Sequence, residues 1–440
     1  MGNAERLINQ FGEDIRYCNT TKSWFIWNSV AWEKDKEQKI MIYANKTVNS
    51  IQEEISQENE ETIRQELTKW ARRSAGHQYR KNMVQSAQPL VPMTATKWNA
   101  DKSLFNCKNG TLELDTLSFR EHRKQDYITK ISGVIYDPSA DCPTWENHLS
   151  LVFDNNQELI DAIQMICGYT LLADNPEQVF FILYGTGRNG KTVTQNVISK
   201  IFGDYATNVA SDTLMVHCTP GGSPRSDIVR LDGARLITSS EGDAEDRLSE
   251  KLVKQMTGGD TITARGLYQD ERELKINGKI WFATNHKPRI VGTDNAIWRR
   301  VWLIPFDITI PQEDRDPYIH EKLLAESSGI LNWMIQGLRR YYKNGHKLIK
   351  PKGVQVATMQ YKTESDIVGQ FIDGYCIIDL DDLQCKVDKD SLWDAFTKWG
   401  NETGEVILSK KKFTQKLNEL GIREDGGRRT KIGIRLKDNP

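Results

Sequence analysis

The segment FILYGTGRNGKT, residues 181–192, constrains the fold more than any other part of the chain. A strand-like apolar run at 179–184 leads into glycines, and a helical pattern follows at 192–201. Glycines let the backbone wrap closely around phosphate groups, and the start of a helix adds a partial positive charge. The segment therefore predicts an α/β fold with a phosphate-binding loop formed by Gly185, Thr186, Gly187, Arg188, Asn189, Gly190, Lys191 and Thr192.

Two residues of this loop have specific predicted roles. Lys191 is expected to reach the β- and γ-phosphates of a nucleoside triphosphate, and the hydroxyl of Thr192 is expected to bind Mg²⁺. The predicted cofactors are thus ATP and Mg²⁺. A plain glycine turn is the alternative, and the strand and helix on either side disfavour it.

Two further strand-like runs end in polar residues that suit hydrolysis. The run at 235–239 leads to Ser240 and Glu241, and Glu241 is predicted to order the attacking water and help hold the metal. Ser240 stands where such sites usually have an aspartate. The run at 279–284 leads to Asn285, which is expected to hydrogen-bond the γ-phosphate or the water. A surface glutamate and a strand-ending cap are the respective alternatives.

The adjacent Arg299 and Arg300 follow in an otherwise apolar stretch. A planar guanidinium brought to the γ-phosphate of a neighbouring subunit would neutralise the charge of the transition state. We therefore predict an arginine finger, with Arg300 preferred over Arg299, and an oligomer with sites between subunits. An ordinary ion pair within the chain is the alternative for each arginine.

The 440 residues are too many for one typical domain, and changes of pattern divide them into three. Residues 1–145 mix short helices and strands, with a helical stretch around 51–75 and an aromatic cluster of Trp24, Phe25, Trp27 and Trp32 that we expect to pack in a core. Residues 146–345 contain helices and then the α/β pattern. Residues 346–440 end in two short amphipathic helices, at 391–399 and 410–420, and an alternating strand-like run.

Charge and cysteine content narrow the setting. The formal net charge is −1, so only local charge can indicate a polyanionic partner. Seven scattered cysteines without CxxC spacing suggest neither a disulfide framework nor a zinc site. Residues 1–10 lack a signal core, and no window approaches a membrane span. These features predict a soluble protein of a reducing interior, with no membrane partner.

Five segments follow one another in the chain: the phosphate-binding loop, SSE, MTGGDTITARGLY, ATNHKPRI and DNAIWRRVWLIPF. As an ordered set they resemble the superfamily 3 helicase core of phage and plasmid primase-helicases, which are related to the poxvirus primase-helicase. The resemblance spans about residues 150–345, and LINQFGEDIRYCNTTKSWFIWN resembles the helical domain that precedes the core. It implies a hexameric AAA+ ATPase ring that translocates on single-stranded DNA and unwinds duplex DNA in a bacterial host cytoplasm. Members often carry an upstream primase domain. We expect none here, so priming would need another protein.

Carried over position by position, the resemblance assigns Lys191 and Thr192 to the Walker A motif, Glu241 to Walker B, Asn285 to the sensor of motif C, and Arg300, or else Arg299, to the finger. The segment TGGDTITARGLYQDERELKI matches the region that forms a DNA-tracking hairpin. Its sequence favours strands at 262–268 and 274–276 around a polar tip. The candidate DNA contacts there are Arg265, Tyr268, Arg272 and Lys275, with a solvated charge as the alternative for each.

The C-terminal segment carries local positive charge. Between residues 409 and 437 there are ten Lys or Arg against three Asp or Glu, in a helix-helix-strand order that resembles a winged-helix module. Lys411, Arg428 and Arg429 are the candidate phosphate contacts. A solvated charged face is the alternative.

The predicted fold is therefore an α/β AAA+ P-loop core with an N-terminal mixed, mainly helical domain and a C-terminal winged-helix-like domain. The predicted function is an ATP-dependent replicative DNA helicase of a phage, plasmid or integrated mobile element, with single-stranded or forked DNA, its own copies and a separate primase or initiator as partners. An ATP-switched origin-binding protein with little unwinding is the main alternative. A small-molecule P-loop kinase fits poorly, because the chain is long and an arginine pair follows Asn285.

Overall fold

The computed structural model describes residues 2–216, 223–240, 246–267, 270–292, 295–405, 407–426 and 429–437. The N-terminal part mixes helices with two small sheets, of strand order β3-β2-β1-β4 and β5-β6-β7. Its elements are α1 (Asn3–Phe11), β1 (Ile15–Cys18), β2 (Ser23–Trp27), β3 (Trp32–Lys34), α2 (Lys39–Gln57), α3 (Glu61–Ser74), α4 (His77–Ala87), β4 (Pro92–Met93), β5 (Leu104–Cys107), β6 (Gly110–Glu113) and β7 (Ser118–Arg120).

Three of the four residues of the aromatic cluster pack in a core as the sequence predicts, and Trp27 is half-buried. Trp24, Phe25 and Trp32 are buried, and the indole nitrogen of Trp32 donates a hydrogen bond to the carbonyl of Lys124 at 2.8 Å. The predicted helical stretch at 51–75 is two helices, because the chain leaves helical geometry at residues 58–60 between α2 and α3.

Helices and parallel strands alternate through the middle of the chain. The elements are α5 (Pro143–Val152), α6 (Gln157–Thr170), β8 (Phe180–Tyr184), α7 (Lys191–Phe202), β9 (Ala206–Ala210), α8 (Ser226–Val229), β10 (Leu236–Ser240), α9 (Glu250–Gly258), β11 (Thr261–Ala264), β12 (Arg272–Lys275), β13 (Lys279–Thr284), α10 (Asn295–Trp298), β14 (Val301–Pro305), α11 (Ile319–Ala325) and α12 (Ser327–Lys343).

Five of these strands form one parallel sheet of order β14-β8-β13-β10-β9. Its central strands are nearly continuous apolar runs because helices cover both faces of a parallel sheet. Since every strand runs the same way, the carboxyl ends of β8, β10 and β13 meet at one edge, as the prediction of an α/β fold requires. The separate antiparallel pair of β11 and β12 confirms a hairpin between β10 and β13.

Helices α6 and α12 cross with their backbones in contact. A Cβ on Gly168 would lie 2.1 Å from the backbone nitrogen of Leu338, and one on Gly337 would lie 1.9 Å from the carbonyl oxygen of Gln164. Real side chains do not approach so closely, so both positions need glycine. The crossing fixes α12 against the helices that precede the sheet.

The C-terminal part contains α13 (Lys352–Ser365), α14 (Ile367–Tyr375), β15 (Cys376–Ile378), β16 (Lys386–Asp388), α15 (Lys389–Thr403), α16 (Lys410–Glu419), β17 (Arg423–Glu424), β18 (Thr430–Ile432) and β19 (Ile434–Leu436). Strands β16, β18 and β17 form an antiparallel sheet in that order beside α14, α15 and α16. The predicted helix-helix-strand order is present. Helix α13 packs on the five-stranded sheet, where the Thr358 hydroxyl accepts a hydrogen bond from the Leu303 nitrogen at 3.1 Å.

Among the described residues, none of the helices combines the length and apolar character needed to cross a membrane.

Candidate nucleotide site

The predicted phosphate-binding loop joins the end of β8 to the start of α7. Gly187, Arg188 and Gly190 have φ values of 107°, 55° and 77°, so the loop turns through left-handed backbone that glycine adopts at little cost. A Cβ on Gly187 would meet nothing within 4 Å, whereas one on Gly185 would lie 2.3 Å from the carbonyl oxygen of Phe306. The loop is thus open at its crest and tightly packed at its base.

Lys191, the first residue of α7, and Asn285, directly after β13, converge at the carboxyl edge of the sheet. The Lys191 ammonium donates hydrogen bonds to the Gly185 carbonyl at 2.7 Å and to the Asn285 side-chain oxygen at 2.9 Å. Lys191 is buried and Asn285 is exposed. These contacts hold the Lys191 ammonium at the carboxyl edge of the sheet, at the base of the loop.

The other loop residues divide into anchors and exposed groups. Asn189 is buried and donates to the Phe306 carbonyl at 2.9 Å, and the Arg188 carbonyl accepts from the Ile310 nitrogen at 3.0 Å. The side chains of Thr186, Arg188 and Thr192 are exposed. The segment after β14 therefore holds the base of the loop, while these exposed side chains remain reachable from solvent.

Strand β10 ends at Ser240, beside β13, with Ser240 opposite Ala283. Ser240 is exposed at the same edge as the loop. The Gln195 side chain donates to the carbonyls of Ser239 at 3.4 Å and Trp281 at 3.2 Å, so α7 is fastened across both strands. Glu241, the predicted Walker B acid, lies outside the described residues.

The arginine pair lies at the opposite edge of the sheet. The Phe180 nitrogen, at the start of β8, donates a hydrogen bond to the Arg300 carbonyl at 2.7 Å. Both arginines therefore lie at the amino ends of the strands, one strand length, about 17 Å, away from the loop. Neither guanidinium therefore reaches the loop of its own chain. This placement is compatible with a role at a neighbouring site.

The two arginines differ in exposure, and this difference favours Arg299 as the finger, whereas the sequence-based prediction preferred Arg300. Arg300 is 8% exposed, and its guanidinium donates to the Thr257 hydroxyl at 3.1 Å and the Gln178 side chain at 2.9 Å. Arg299 is exposed and donates to the same Gln178 oxygen at 2.7 Å. Because the Arg300 side chain is engaged in its own chain's interior, Arg299 is the member of the pair that another subunit could meet.

Sequence reasoning missed a histidine that supports the loop from behind. His148, on α5, is buried, and its Nε2 lies 3.1 Å from the hydroxyl of Thr194 on the first turn of α7. A Cβ on Gly190 would lie 3.2 Å from the His148 ring and 2.4 Å from Val152. Burial lowers the pKa of His148 to about 4, so the ring is neutral at physiological pH. A lone histidine in an apolar helical pattern gives no local signal of this contact.

The start of α5 is fixed in turn by the residue before α12. The Glu326 carboxylate accepts hydrogen bonds from the backbone nitrogens of Thr144 and Trp145, both at 3.1 Å. These nitrogens have no partner within the helix, and an acid there also suits the helix dipole. Helix α5 is thus held at both ends, by Glu326 and by its contacts with the loop.

The candidate DNA contacts fall in two separate elements. On the hairpin, Arg272 pairs with Asp232 at 3.0 Å, Arg265 is half-buried and Lys275 is exposed. In the C-terminal part, Lys411 on α16 and Arg429 before β18 are exposed. Tyr268 and Arg428 lie outside the described residues. The Arg272 pair makes Lys275 the more accessible cation of the hairpin.

Comparisons with known proteins find similar sequences in two protein families and in viruses. The family described as "D5 N terminal like" matches residues 4–154, and a family of unknown function matches residues 183–300. A protein of Acanthamoeba polyphaga mimivirus, named "Putative helicase", is 26% identical over 329 residues, which cover 70% of this chain and 34% of that protein. One of African swine fever virus, named "Putative primase", is 22% identical over 317 residues, or 67% of this chain and 33% of that protein.

The chain is a relative of the viral primase-helicases. It spans about a third of the length of these two relatives. The apo structure of the NrS-1 C-terminal region has a similar fold, with a TM-score of 0.53 at 10% identity, over 99% of this chain and 100% of that one. In the present chain, the match to the "D5 N terminal like" family ends at residue 154, directly after α5. The matched segment therefore includes the helix that supports the loop.

Proposed function

We propose that the chain is the motor of an ATP-driven DNA helicase, built as an AAA+ P-loop core with a winged-helix module at its C-terminal end. The contact of Lys191 with Asn285 beside an open glycine loop carries the proposal. The backbone N–H groups of the loop and the start of α7 would bind the β- and γ-phosphates, with Lys191 between them. Asn285 would then exchange its bond with Lys191 for one to the γ-phosphate or the attacking water.

The residues at this edge also fit Mg²⁺. Thr192 and Ser240 present exposed hydroxyl oxygens at the same edge of the sheet, and Mg²⁺ prefers oxygen ligands and keeps several waters. Thr192 would bind the ion directly and Ser240 through a bound water, with Glu241 as the predicted acid. The ion would offset the negative charge of the phosphates.

The opposite edge supports a subunit interface. Arg299 is exposed there and lies too far from its own loop to act on it. In a ring, the carboxyl edge of one subunit would face the Arg299 edge of the next, and Arg299 would stabilise the transition-state charge. We propose a homo-hexamer in which hydrolysis moves the β11–β12 hairpin along single-stranded DNA, with Lys275 and Arg265 as phosphate contacts.

The strand order β14-β8-β13-β10-β9 supports a core of this kind. Strand β9, which follows α7, is the outermost strand on one side, and β8, which leads into the loop, lies between β14 and β13. The order of α14, β16, α15, α16, β17 and β18 supports a winged-helix module, with Lys411 and Arg429 facing solvent. We place the protein in the replication of a phage, plasmid or mobile element.

Strand displacement on a forked duplex tests the proposal. We expect ATP-dependent release of the labelled strand, ATP hydrolysis stimulated by single-stranded DNA, and a hexamer in native mass measurement. Ser240, which replaces an aspartate, favours the second candidate, an ATP-switched origin-binding protein. Tight DNA binding with nucleotide-dependent assembly but no strand release would support that candidate and exclude the motor.

A further inference from the structure

Charge is segregated along the helices of the N-terminal part. Residues 51–66 carry six Asp or Glu and one arginine, whereas residues 67–84 carry five Lys or Arg and no acidic residue. A surface that serves only solubility mixes the two signs. The basic stretch covers the end of α3, the turn at Gly76 and the start of α4, and residues 69–81 are called the α3–α4 corner below.

The cations of the α3–α4 corner face solvent. Lys69, Arg72, Arg73 and Lys81 are exposed, and none of the four forms an ion pair with another described residue. Arg64, earlier on α3, pairs with Glu61 at 3.1 Å, so the helix does form ion pairs where acids are present. The corner therefore keeps an uncompensated positive charge.

Helix stability accounts for only part of this charge. Arg72 and Arg73 lie in the last turn of α3, where the helix dipole favours cations. Helix α4, however, begins with His77 and has no acidic residue in its first turn, although the dipole favours acids there. The run of cations therefore continues past the start of α4, where the helix dipole disfavours positive charge.

Two aromatic side chains lie among the cations. Trp70 is 37% exposed and Tyr79 is 45% exposed. The Trp70 indole donates to the Asn3 side chain at 2.9 Å, and the Asn3 amide donates to the Ser74 hydroxyl at 2.7 Å. Because α1 holds the tryptophan in place, its exposed surface is already ordered before any ligand arrives.

We propose that the α3–α4 corner binds single-stranded nucleic acid, as a contact separate from the motor. Arg72, Arg73 and Lys81 would meet the phosphates, and Trp70 and Tyr79 would stack on bases. Cations interleaved with exposed aromatic rings are the usual means of binding single strands without sequence preference. An anionic membrane would instead require an apolar face that inserts between lipids, and Trp70 and Tyr79 both carry polar groups at their tips.

The experiment measures binding of the full chain to a labelled oligothymidylate about 20 nucleotides long, long enough for more than one contact site. All variants carry Lys191→Ala, so binding is read without hydrolysis, and a failure of the proposed motor leaves the result interpretable. We expect Arg72→Gln with Arg73→Gln to weaken binding about tenfold and to reduce the log–log salt slope by about 1.4. Trp70→Leu, which keeps an apolar side chain, should weaken binding at all salt concentrations.

The control is a second pair of adjacent arginines at the end of a helix. Arg339 and Arg340 are exposed in the last turns of α12, and Arg340 pairs with Asp161 at 2.8 Å. Replacing both with glutamine changes the net charge equally and should leave binding unchanged. Parental affinity and salt slope in the Arg72/Arg73 variant, or equal losses in the control, would overturn the proposal. The proposal would also be overturned if phosphatidylserine vesicles displaced the DNA when the concentration of lipid charges equals that of the DNA phosphates.

Discussion

The two edges of the five-stranded sheet both hold buried cations, but they hold them differently. At the carboxyl edge, Lys191 bonds to the exposed Asn285 beneath an open loop. At the amino edge, Arg235 donates to the carbonyls of Leu171 and Leu104, and Lys279 donates to that of Leu172 and lies over the Tyr169 ring. Burial alone therefore does not identify a functional cation. What distinguishes Lys191 is a partner, Asn285, that is exposed to solvent.

The strongest test of this comparison removes one lysine from each edge. Lys191→Ala should reduce ATP hydrolysis to background, because the phosphates lose their central cation. Lys279→Met, which removes a fully buried lysine from the other edge, should keep hydrolysis within about twofold of the parent. Phosphate release measures both. Parental turnover in the Lys191 variant would remove Lys191 from the proposed mechanism.

The arginine pair tests the amino edge. Arg299→Ala should lower turnover about 1000-fold with nucleotide affinity and thermal stability unchanged, because the exposed guanidinium acts only in the transition state of a neighbour. Arg300→Ala should lower the melting temperature, since it removes the hydrogen bonds that the buried guanidinium donates to Thr257 and Gln178.

Mixing variants separates action in trans from action within one chain. A site formed by Lys191 of an Arg299→Ala subunit and Arg299 of a Lys191→Ala subunit would be intact, so mixed rings should regain part of the turnover. Two inactive proteins that stay inactive after mixing and reassembly would contradict the interface at this edge.

His148 tests the support behind the loop. His148→Ala should weaken nucleotide binding about tenfold, the effect of a hydrogen bond worth about 1.4 kcal/mol, and His148→Gln should restore most of it because its amide nitrogen can replace Nε2. Thr194→Val should match His148→Ala, and the double variant should be no worse. Nucleotide titration measures these affinities.

The control for Thr194 is Thr170→Val, since Thr170 is equally buried and bonds the Ile166 carbonyl away from the loop. Nucleotide affinity in that variant should be unchanged. Additive losses in the double variant would show that His148 and Thr194 do not act together.

The last prediction concerns the pH dependence of stability. Burial, reinforced by the nearby Arg235, lowers the pKa of Lys279 well below its ordinary value of 10.5. Above that lowered pKa the unfolded chain binds the extra proton, so stability should rise with pH up to about 10.5, by at most about 1.4 kcal/mol per pH unit. Denaturant unfolding of the parent and of Lys279→Met at alkaline pH measures the difference. An identical pH dependence in both would contradict the shift.

The sequence predicts the parts of the site that depend on local pattern. The glycine loop and the strand ends follow from spacing and apolar runs, and parallel strands then bring Lys191 and Asn285 to one edge without further information. The choice between Arg299 and Arg300 could not be made, because adjacent residues at the end of α10 face different surroundings that only the packed structure defines. His148 was missed for the same reason, since Thr194 lies far along the chain.

Some signals were present but uninterpreted. Glycines inside helical patterns, such as Gly168 and Gly337, indicate that another backbone approaches closely. The run of cations after the acidic stretch at 51–66 was also visible. Neither pattern identifies its partner, because the contact between α6 and α12 and the exposure of the corner are properties of the tertiary structure.

The glycine crossing of α6 and α12 has a mechanical consequence. Where two backbones touch, no layer of side chains lies between them that could slide or repack, so we expect the two helices to move together as one rigid unit. Glu326 directly precedes α12, and its carboxylate binds the first turn of α5. A movement of α6 and α12 would therefore be transmitted through α5 to the glycines of the phosphate-binding loop.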